Sequence, residues 1–353
     1  MSAPRKTLPN DFGTQLTTKS VEELIAGFGR IRLDARGGPT RSTPIGFVDC
    51  PDEVIRWLVG QGVDVDATDI TDATPLHARA ARGRPEQIPL LLSLGADIER
   101  YRRFGGTPLH AAAGNQHPET VRVLLEHGAD PAAIGDDGLT PLDAALARSA
   151  NATIARTAEV ARLLLATGQP VTDTMRAEIT RIGREFEFHR AGFAPDLLGP
   201  AEEGLAQLYR LFDVPPVAAR REHDGSSPIT LPEGRWPEQY QALWDFLVPP
   251  SGPAATAQGE VIRIAGRLSV EVLDDGGMNW DADFSRMLAA FLAHVGSGIP
   301  LGPDELDELG EIAPALRTDS ADEIHVARLT ELAVAWVARN PTPIALGEVD
   351  YRR

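Results

Sequence analysis

The sequence has a single cysteine, Cys50, and only two lysines, Lys6 and Lys19. One cysteine excludes an intramolecular disulfide framework and a zinc site built from several cysteines, and it is typical of proteins in a reducing compartment. No apolar run approaches the roughly 20 residues of a membrane-spanning helix. Residues 1–20 also lack the apolar segment of a secretory signal. We therefore expect a soluble, cytoplasmic protein with no membrane partner.

Positive charge is also scarce. The 34 Lys and Arg residues face 51 Asp and Glu residues, which gives a formal net charge of -17. Because contacts with phosphate groups need a basic surface, this balance argues against a nucleic-acid partner. Residues 201–353 hold 25 acidic and 12 basic residues, a net charge of -13, so the C-terminal part is the more acidic.

The strongest pattern is an internal repeat of 33 residues. Thr-Pro-Leu-His occurs at residues 74–77 and again at 107–110, and Thr-Pro-Leu-Asp follows at 140–143. Gly-Ala-Asp occurs at 95–97 and 128–130 with the same spacing. This period and these motifs resemble the ankyrin repeat. The resemblance implies units of a turn and two short helices, each of which buries its apolar face only by stacking on its neighbours.

We therefore predict an all-α protein, with an ankyrin-repeat solenoid of three to four repeats followed by a helical C-terminal domain. Strand signals are almost absent from the sequence. The predicted organisation is a flexible N-terminal arm (1–19), an ankyrin repeat domain with an N-terminal capping helix (20–170), a helical extension packed on the last repeat (171–214), a linker or long loop (215–236) and an acidic helical bundle (237–353).

Single residues add detail to the repeat pattern. Ser20 and Glu23 have the spacing of a capping box, which predicts a helix start. Gly95 and Gly128 are expected in left-handed turns after the second helix of their repeats. Gln116 stands where the preceding repeat has Gly83, so the turn between the helices could be altered there.

The turn between the two best repeats departs most from the family pattern. Small polar residues are usual there, but residues 100–104 read Arg-Tyr-Arg-Arg-Phe. Arg and Tyr are enriched where binding energy is concentrated in interfaces. Further candidates lie on the first helices of the repeats. The predicted partner-binding residues are Arg79, Arg82, Arg100, Tyr101, Arg102, Arg103, Phe104, Asn115 and Arg148.

The resemblance implies a non-enzymatic protein-protein interaction module, such as an adaptor, a regulator or an immunity-type inhibitor, with its partner on the concave face. An acidic peptide or helix would suit the basic turn, and so would the chain's own acidic C-terminal domain. No catalytic residue, metal site or cofactor is predicted, and the histidines His77 and His110 are interpreted as structural.

The alternative is an enzyme of unknown class, with its site in the C-terminal domain and the repeats recruiting substrate. A cleft lined by Glu260, Asp274, Asp281 or Asp283 would favour this alternative. Charges also recur at spacings of three or four on one helix face, and they are expected instead to form exposed ion pairs. These charges are Glu260, Arg263, Arg267 and Glu271.

Overall fold

The computed structural model describes residues 5–103, 105–317 and 321–352. As predicted, the regular structure of the described chain is mostly helical, with sixteen α-helices and one two-stranded sheet. It divides into two compact units. The first unit consists of residues 1–186 and 193–217, and the second of residues 187–192 and 218–353.

The first unit begins with folded structure where the sequence predicted a flexible arm over residues 1–19. Strand β1 (Arg5–Thr7) pairs in parallel with β2 (Ile31–Arg36), and helices α1 (Phe12–Thr18) and α2 (Val21–Gly27) lie between them. Leu8, Phe12 and Leu16 are buried, and the Phe12 ring makes edge contacts with Phe28 and Phe47. Apolar residues four positions apart therefore anchor this segment to the core of the first unit.

The capping box at the start of α2 is confirmed. The Ser20 hydroxyl accepts a hydrogen bond from the Glu23 amide, and the Ser20 amide donates to the Glu23 carboxylate at 2.9 Å. These two bonds satisfy amide groups that the first turn of a helix leaves without partners. The predicted capping helix thus starts at the expected residue.

Four stacked repeats follow. In the first repeat, a single 3-10 turn (Pro44–Gly46) replaces the first helix and α3 (Asp52–Gly60) is the second. The other three repeats have complete helix pairs, which are α4 (Pro75–Arg82) with α5 (Ile88–Ser93), α6 (Pro108–Gly114) with α7 (Pro118–Glu126), and α8 (Pro141–Ala147) with α9 (Ile154–Leu165). Their apolar faces form one continuous core. The predicted repeat register is therefore confirmed.

Left-handed residues recur at equivalent positions of the repeats. Gly95 and Gly128 have φ angles of 95° and 88°, as predicted. Gly83 has φ 63°, and Gln116 keeps the same conformation with φ 59°. The side-chain amide of Gln116 donates to the Ala145 carbonyl at 2.7 Å. The turn is therefore unaltered, because this bond to the next repeat offsets the strain of a side chain in the left-handed region.

Two long helices complete the first unit. They are α10 (Asp173–His189), which crosses the boundary at residue 186, and α11 (Pro195–Phe212), which packs along α9. A Cβ atom at Gly204 would lie 2.7 Å from the Ala155 Cα atom, so glycine allows α11 and α9 to approach closely. The predicted extension over residues 171–214 thus packs on the last repeat.

The second unit is a bundle of five helices, α12 (Trp236–Leu247), α13 (Ala257–Leu273), α14 (Ala282–Val295), α15 (Pro303–Ala315) and α16 (Glu323–Arg339). Helices α13 and α16 pack together in its core. Most of the predicted linker over residues 215–236 belongs to this unit. Ile229 is buried, and its amide donates to the Pro341 carbonyl at 2.8 Å, so this segment is held against the bundle.

The predicted exposed ion pair on α13 lies inside the bundle. The Arg263 guanidinium contacts the Glu260 carboxylate at 2.6 Å, and both side chains are almost fully buried. The Tyr351 hydroxyl donates to Glu260 at 2.8 Å, and the Ala254 amide donates at 2.9 Å. The expectation of exposure was wrong because the C-terminal segment that carries Tyr351 covers this face of α13.

We expect Glu260→Gln to lower the free energy of unfolding of the second unit by about 3–5 kcal/mol, because Arg263 would stay buried without a counter-charge. Tyr351→Phe should cost about 1.5–3 kcal/mol, since it removes one hydrogen bond to a charged group. Urea unfolding measures both losses.

Glu238→Gln is the matched control, because Glu238 pairs with Arg235 at the same spacing at the exposed start of α12, and glutamine can still accept the capping bond from the Arg235 amide. This variant should unfold like the wild type. Equal losses for Glu260→Gln and Glu238→Gln would contradict the buried role of Glu260.

Candidate functional site

The repeats are joined by hairpins that have the same hydrogen bond at intervals of 33 residues. In the first hairpin (residues 69–73) the Asp69 amide donates to the Ala73 carbonyl at 2.9 Å. The second hairpin (100–106) has this bond from Arg102 to Gly106 at 2.9 Å, and the third (134–139) has it from Gly135 to Leu139 at 2.8 Å. The hairpins therefore project side by side from the row of first helices.

Histidines tie the second and third repeats to the hairpin that follows each of them. His77 Nδ1 accepts a hydrogen bond from the Thr74 amide at 3.3 Å, and Nε2 donates to the Gly106 carbonyl at 3.1 Å. His110 makes the same contacts with Thr107 and with the Leu139 carbonyl. Burial lowers the pKa of His77 to about 4, because the interior disfavours the charged ring. The structural interpretation of both histidines is confirmed.

The second hairpin exposes the predicted cluster. Arg100 and Arg103 are exposed, and the Tyr101 side chain is 37% exposed. Arg102 is half-buried, and its guanidinium lies over Gly105, since a Cβ atom there would be 2.4 Å from Arg102 Nε. Phe104, the remaining predicted residue of this hairpin, lies outside the described residues.

Three more predicted residues occupy equivalent positions at the ends of the first helices. Arg82, Asn115 and Arg148 are each exposed and are 33 residues apart. The Asn115 side chain donates to the Ala111 carbonyl at 2.8 Å. Arg148 extends across Gly114 of the preceding repeat, where a Cβ atom would be 2.8 Å from its guanidinium. These side chains form a row beside the hairpins.

Arg79 does not belong to this surface, although the sequence placed it there. Its side chain is fully buried and donates to the Ile45 carbonyl at 2.6 Å and to the Phe47 carbonyl at 2.8 Å. A third bond joins Arg79 to Gln87 at 3.0 Å. The first repeat has only a 3-10 turn in place of its first helix, so its carbonyl groups need donors from outside. Arg79 supplies them and is structural.

Acidic residues flank the basic hairpin on both sides, which the sequence reasoning missed. Asp69 and Asp72 belong to the first hairpin, and Asp136 and Asp137 belong to the third. Burial and a hydrogen bond with Asp136 raise the pKa of the Tyr101 phenol. Aligning the three hairpins at the 33-residue period would have shown this change of sign from one hairpin to the next.

Cavities lie on both sides of the second hairpin. One of about 260 Å³ lies between the second and third hairpins and is lined by Gly105, Gly106, His110, Gly135, Asp136, Asp137, Ala144 and Arg148. Another of about 680 Å³ reaches from β2 to Arg100 and is lined in part by Arg32, Arg36, Asp64 and Asp66. The structure thus places Arg148 beside the acidic residues of the third hairpin and Arg100 beside the larger cavity.

The described residues give little support to metal binding or to thiol chemistry. No group of three His, Cys, Asp or Glu side chains among them is arranged to hold a metal ion. Burial raises the pKa of the Cys50 thiol to about 12, so Cys50 is a core residue. Among the described helices, none combines the length and hydropathy needed to cross a membrane.

Stacked helix pairs with a 33-residue period, joined by projecting hairpins, define a helical repeat solenoid. A family model described as ankyrin repeats (3 copies) matches residues 47–134 and 80–175. Residues 47–175 are ankyrin repeats, and such repeats indicate a module for protein-protein interaction. No curated protein matches the chain.

Arg79→Ala should lower the free energy of unfolding of the first unit by about 3–5 kcal/mol, because it leaves buried carbonyl groups without donors and opens a cavity. Arg82→Ala, on the same helix but exposed, should have a far smaller effect. Thermal unfolding of both variants checks this difference, and a stable Arg79→Ala protein would refute the structural role.

The pH dependence of stability follows from His77. Its pKa in the folded state, about 4, lies below the unfolded value of 6.5, so the unfolded chain binds a proton first as the pH falls. Neutral His77 therefore adds to the free energy of unfolding, and this addition is fully present above pH 6.5. It is lost as the pH falls from 6.5 to 4, by up to about 3 kcal/mol.

Urea unfolding of the wild type and His77→Gln between pH 7 and 4 isolates this contribution. The variant should lose less stability than the wild type as the pH falls, whereas exposed His127→Gln should lose as much. Parallel curves for the wild type and His77→Gln would rule out His77 as the source.

Proposed function

We propose that the first unit binds a protein partner on the surface formed by the three hairpins and the exposed ends of the first helices. The protein would act without catalysis, as an adaptor, a regulator or an inhibitor of the partner. The observation that carries this proposal is the second hairpin, which exposes Arg100, Tyr101 and Arg103 in the middle of the row.

Exposed apolar side chains support the same surface. Ile70 in the first hairpin is 66% exposed, and Ile134 in the third is 59% exposed. Ile134 is also the 33-residue equivalent of Tyr101. Single exposed apolar residues are normal on protein surfaces, but three on successive hairpins form a row. Burial of this row would add apolar contact to the polar contacts of the arginines.

The chemistry of the arginines suits a protein partner. A guanidinium group is planar and can form two parallel hydrogen bonds with a carboxylate, and Arg and Tyr often dominate interface energies. The exposed ends of the first helices widen the surface through Arg82, Asn115 and Arg148. The cavity between the second and third hairpins gives it depth where Arg148 faces Asp136 and Asp137.

The alternative of an enzyme with its site in the second unit is less well supported. The Glu260 carboxylate, a candidate for such a site, is buried in contacts with Arg263 and Tyr351. Asp281 accepts hydrogen bonds from the Asp283 and Phe284 amides and so caps the start of α14. Both carboxylates have structural partners, which favours the binding function over this alternative.

The test compares affinity capture by the wild type and by Arg100→Glu/Arg103→Glu, with the full chain as bait in an extract of its native cells. Quantitative mass spectrometry should show at least one protein that loses most of its enrichment with the double variant, because both charges reverse at the centre of the surface.

The control is Arg56→Glu/Arg156→Glu, which reverses two exposed arginines on the second helices of the first and last repeats. It makes the same change in net charge away from the hairpins, and it should retain the captured protein. Equal losses for both double variants, or none for either, would overturn the proposed surface.

A further inference from the structure

The sign of the charge alternates along the row of hairpins. The first hairpin carries Asp69 and Asp72, the second carries Arg100, Arg102 and Arg103, and the third carries Asp136 and Asp137. A partner that lies along this row meets negative, positive and negative groups in turn. The order of charge, more than net charge, is therefore the feature that a partner must match.

The repeats also fix the spacing of this pattern. The Asp97 amide donates to the Asp66 carboxylate at 3.0 Å, and one repeat later the Asp130 amide donates to the Glu99 carboxylate at 2.7 Å. Because the same bond occurs at equivalent positions, the displacement from one hairpin to the next, here called one step, is the same along the row. Packed helices lie about 8–10 Å apart, and a polyproline II chain advances about 3.1 Å per residue with three residues per turn, so one step corresponds to about three residues and side chains three positions apart lie on one face.

We propose, on the basis of the protein-binding function above, that the partner presents an extended polyproline II segment with an acidic residue flanked by basic residues three positions before and three positions after it. The acidic side chain meets Arg100 and Arg103 of the second hairpin. The two basic side chains meet Asp72 of the first hairpin and Asp136 and Asp137 of the third.

The third hairpin provides room for one of these basic side chains. The adjoining cavity of about 260 Å³ is lined by Asp136, Asp137 and Arg148, so a side chain that enters it faces two carboxylates and one guanidinium. Ile70 and Ile134 flank the charged positions and can contact apolar residues between the charges. The segment thus gains apolar burial together with its ion pairs.

The charge pattern of the hairpins restricts the class of peptide that can bind more closely than the sequence did, which predicted only an acidic peptide. A uniformly acidic segment would place carboxylates against the aspartates of the first and third hairpins, and such contacts between like charges weaken binding. A uniformly basic segment would be repelled by the second hairpin. Only the alternating segment places opposite charges together at every hairpin.

Two fluorescent peptides of identical composition test the order of charge against the full-length protein. One carries Lys-x-x-Glu-x-x-Lys and the other Lys-x-x-Lys-x-x-Glu, with the same uncharged residues at x. Fluorescence anisotropy at 50 mM salt should show at least tenfold tighter binding of the first peptide. Raising the salt to about 300 mM should reduce this preference, since the contacts are between exposed charges.

A charge swap locates the contact. Arg100→Glu/Arg103→Glu should bind Lys-x-x-Glu-x-x-Lys at least tenfold more weakly and should prefer Lys-x-x-Lys-x-x-Lys, whereas Arg56→Glu/Arg156→Glu should behave like the wild type. Circular dichroism confirms that each variant is folded, and any that is not is replaced by the Gln pair at the same positions.

Equal affinity for the two peptides of identical composition, or no binding of either, overturns the proposed charge order. If capture of the cellular partner still depends on Arg100 and Arg103 in that case, the binding surface stands and only the charge order fails. If capture is independent of both arginines, the surface and the charge order fail together.

Discussion

The stacking of the repeats depends on buried hydrogen bonds from the second and third repeats to the hairpin that follows each of them. His77 donates to the Gly106 carbonyl, and His110 donates to the Leu139 carbonyl one repeat later. A single repeat cannot bury its apolar face, so the core exists only when neighbours are stacked in this register. The same bonds fix the bases of the second and third hairpins. The position of the exposed residues at the hairpin tips therefore follows from the buried contact that holds the stack together.

Much of this arrangement could be predicted from the sequence because it depends on local chemistry. Thr-Pro at a helix start, glycine in a left-handed turn and apolar residues at helical spacing each have one dominant structural reading. Repetition at 33 residues strengthens all three, since the same local solution must then occur in every unit. These signals predict the helical architecture and also the turn that forms the second hairpin.

The errors concern burial, which local pattern does not determine. The pair formed by Glu260 and Arg263 has the same three-residue spacing as the exposed pair of Glu119 and Arg122. Residues outside α13, Ala254 and the distant Tyr351, bind Glu260 and make the first pair internal. Arg79 is buried for a similar reason, because the shortened first repeat leaves carbonyl groups that a residue of the next repeat must satisfy. Neither arrangement can be read from the neighbouring sequence.

Arg79 and Arg82, three residues apart on α4, have different surroundings. Arg79 faces the preceding repeat and is enclosed by carbonyl groups, so its charge stabilises the stack and is inaccessible to a partner. Arg82 lies at the exposed C-terminal end, where a positive charge also interacts favourably with the helix dipole. Any basic residue at such an end can interact with the helix dipole, whereas a residue that binds a partner must match the groups that the partner presents. Asp69 and Asp137 accept hydrogen bonds from the Ala73 and Leu139 amides just before α4 and α8, so these acidic residues also have a structural role. The arginines of the second hairpin gain nothing from the helix dipole at the start of α6, and for this reason they are the better indicator of a partner.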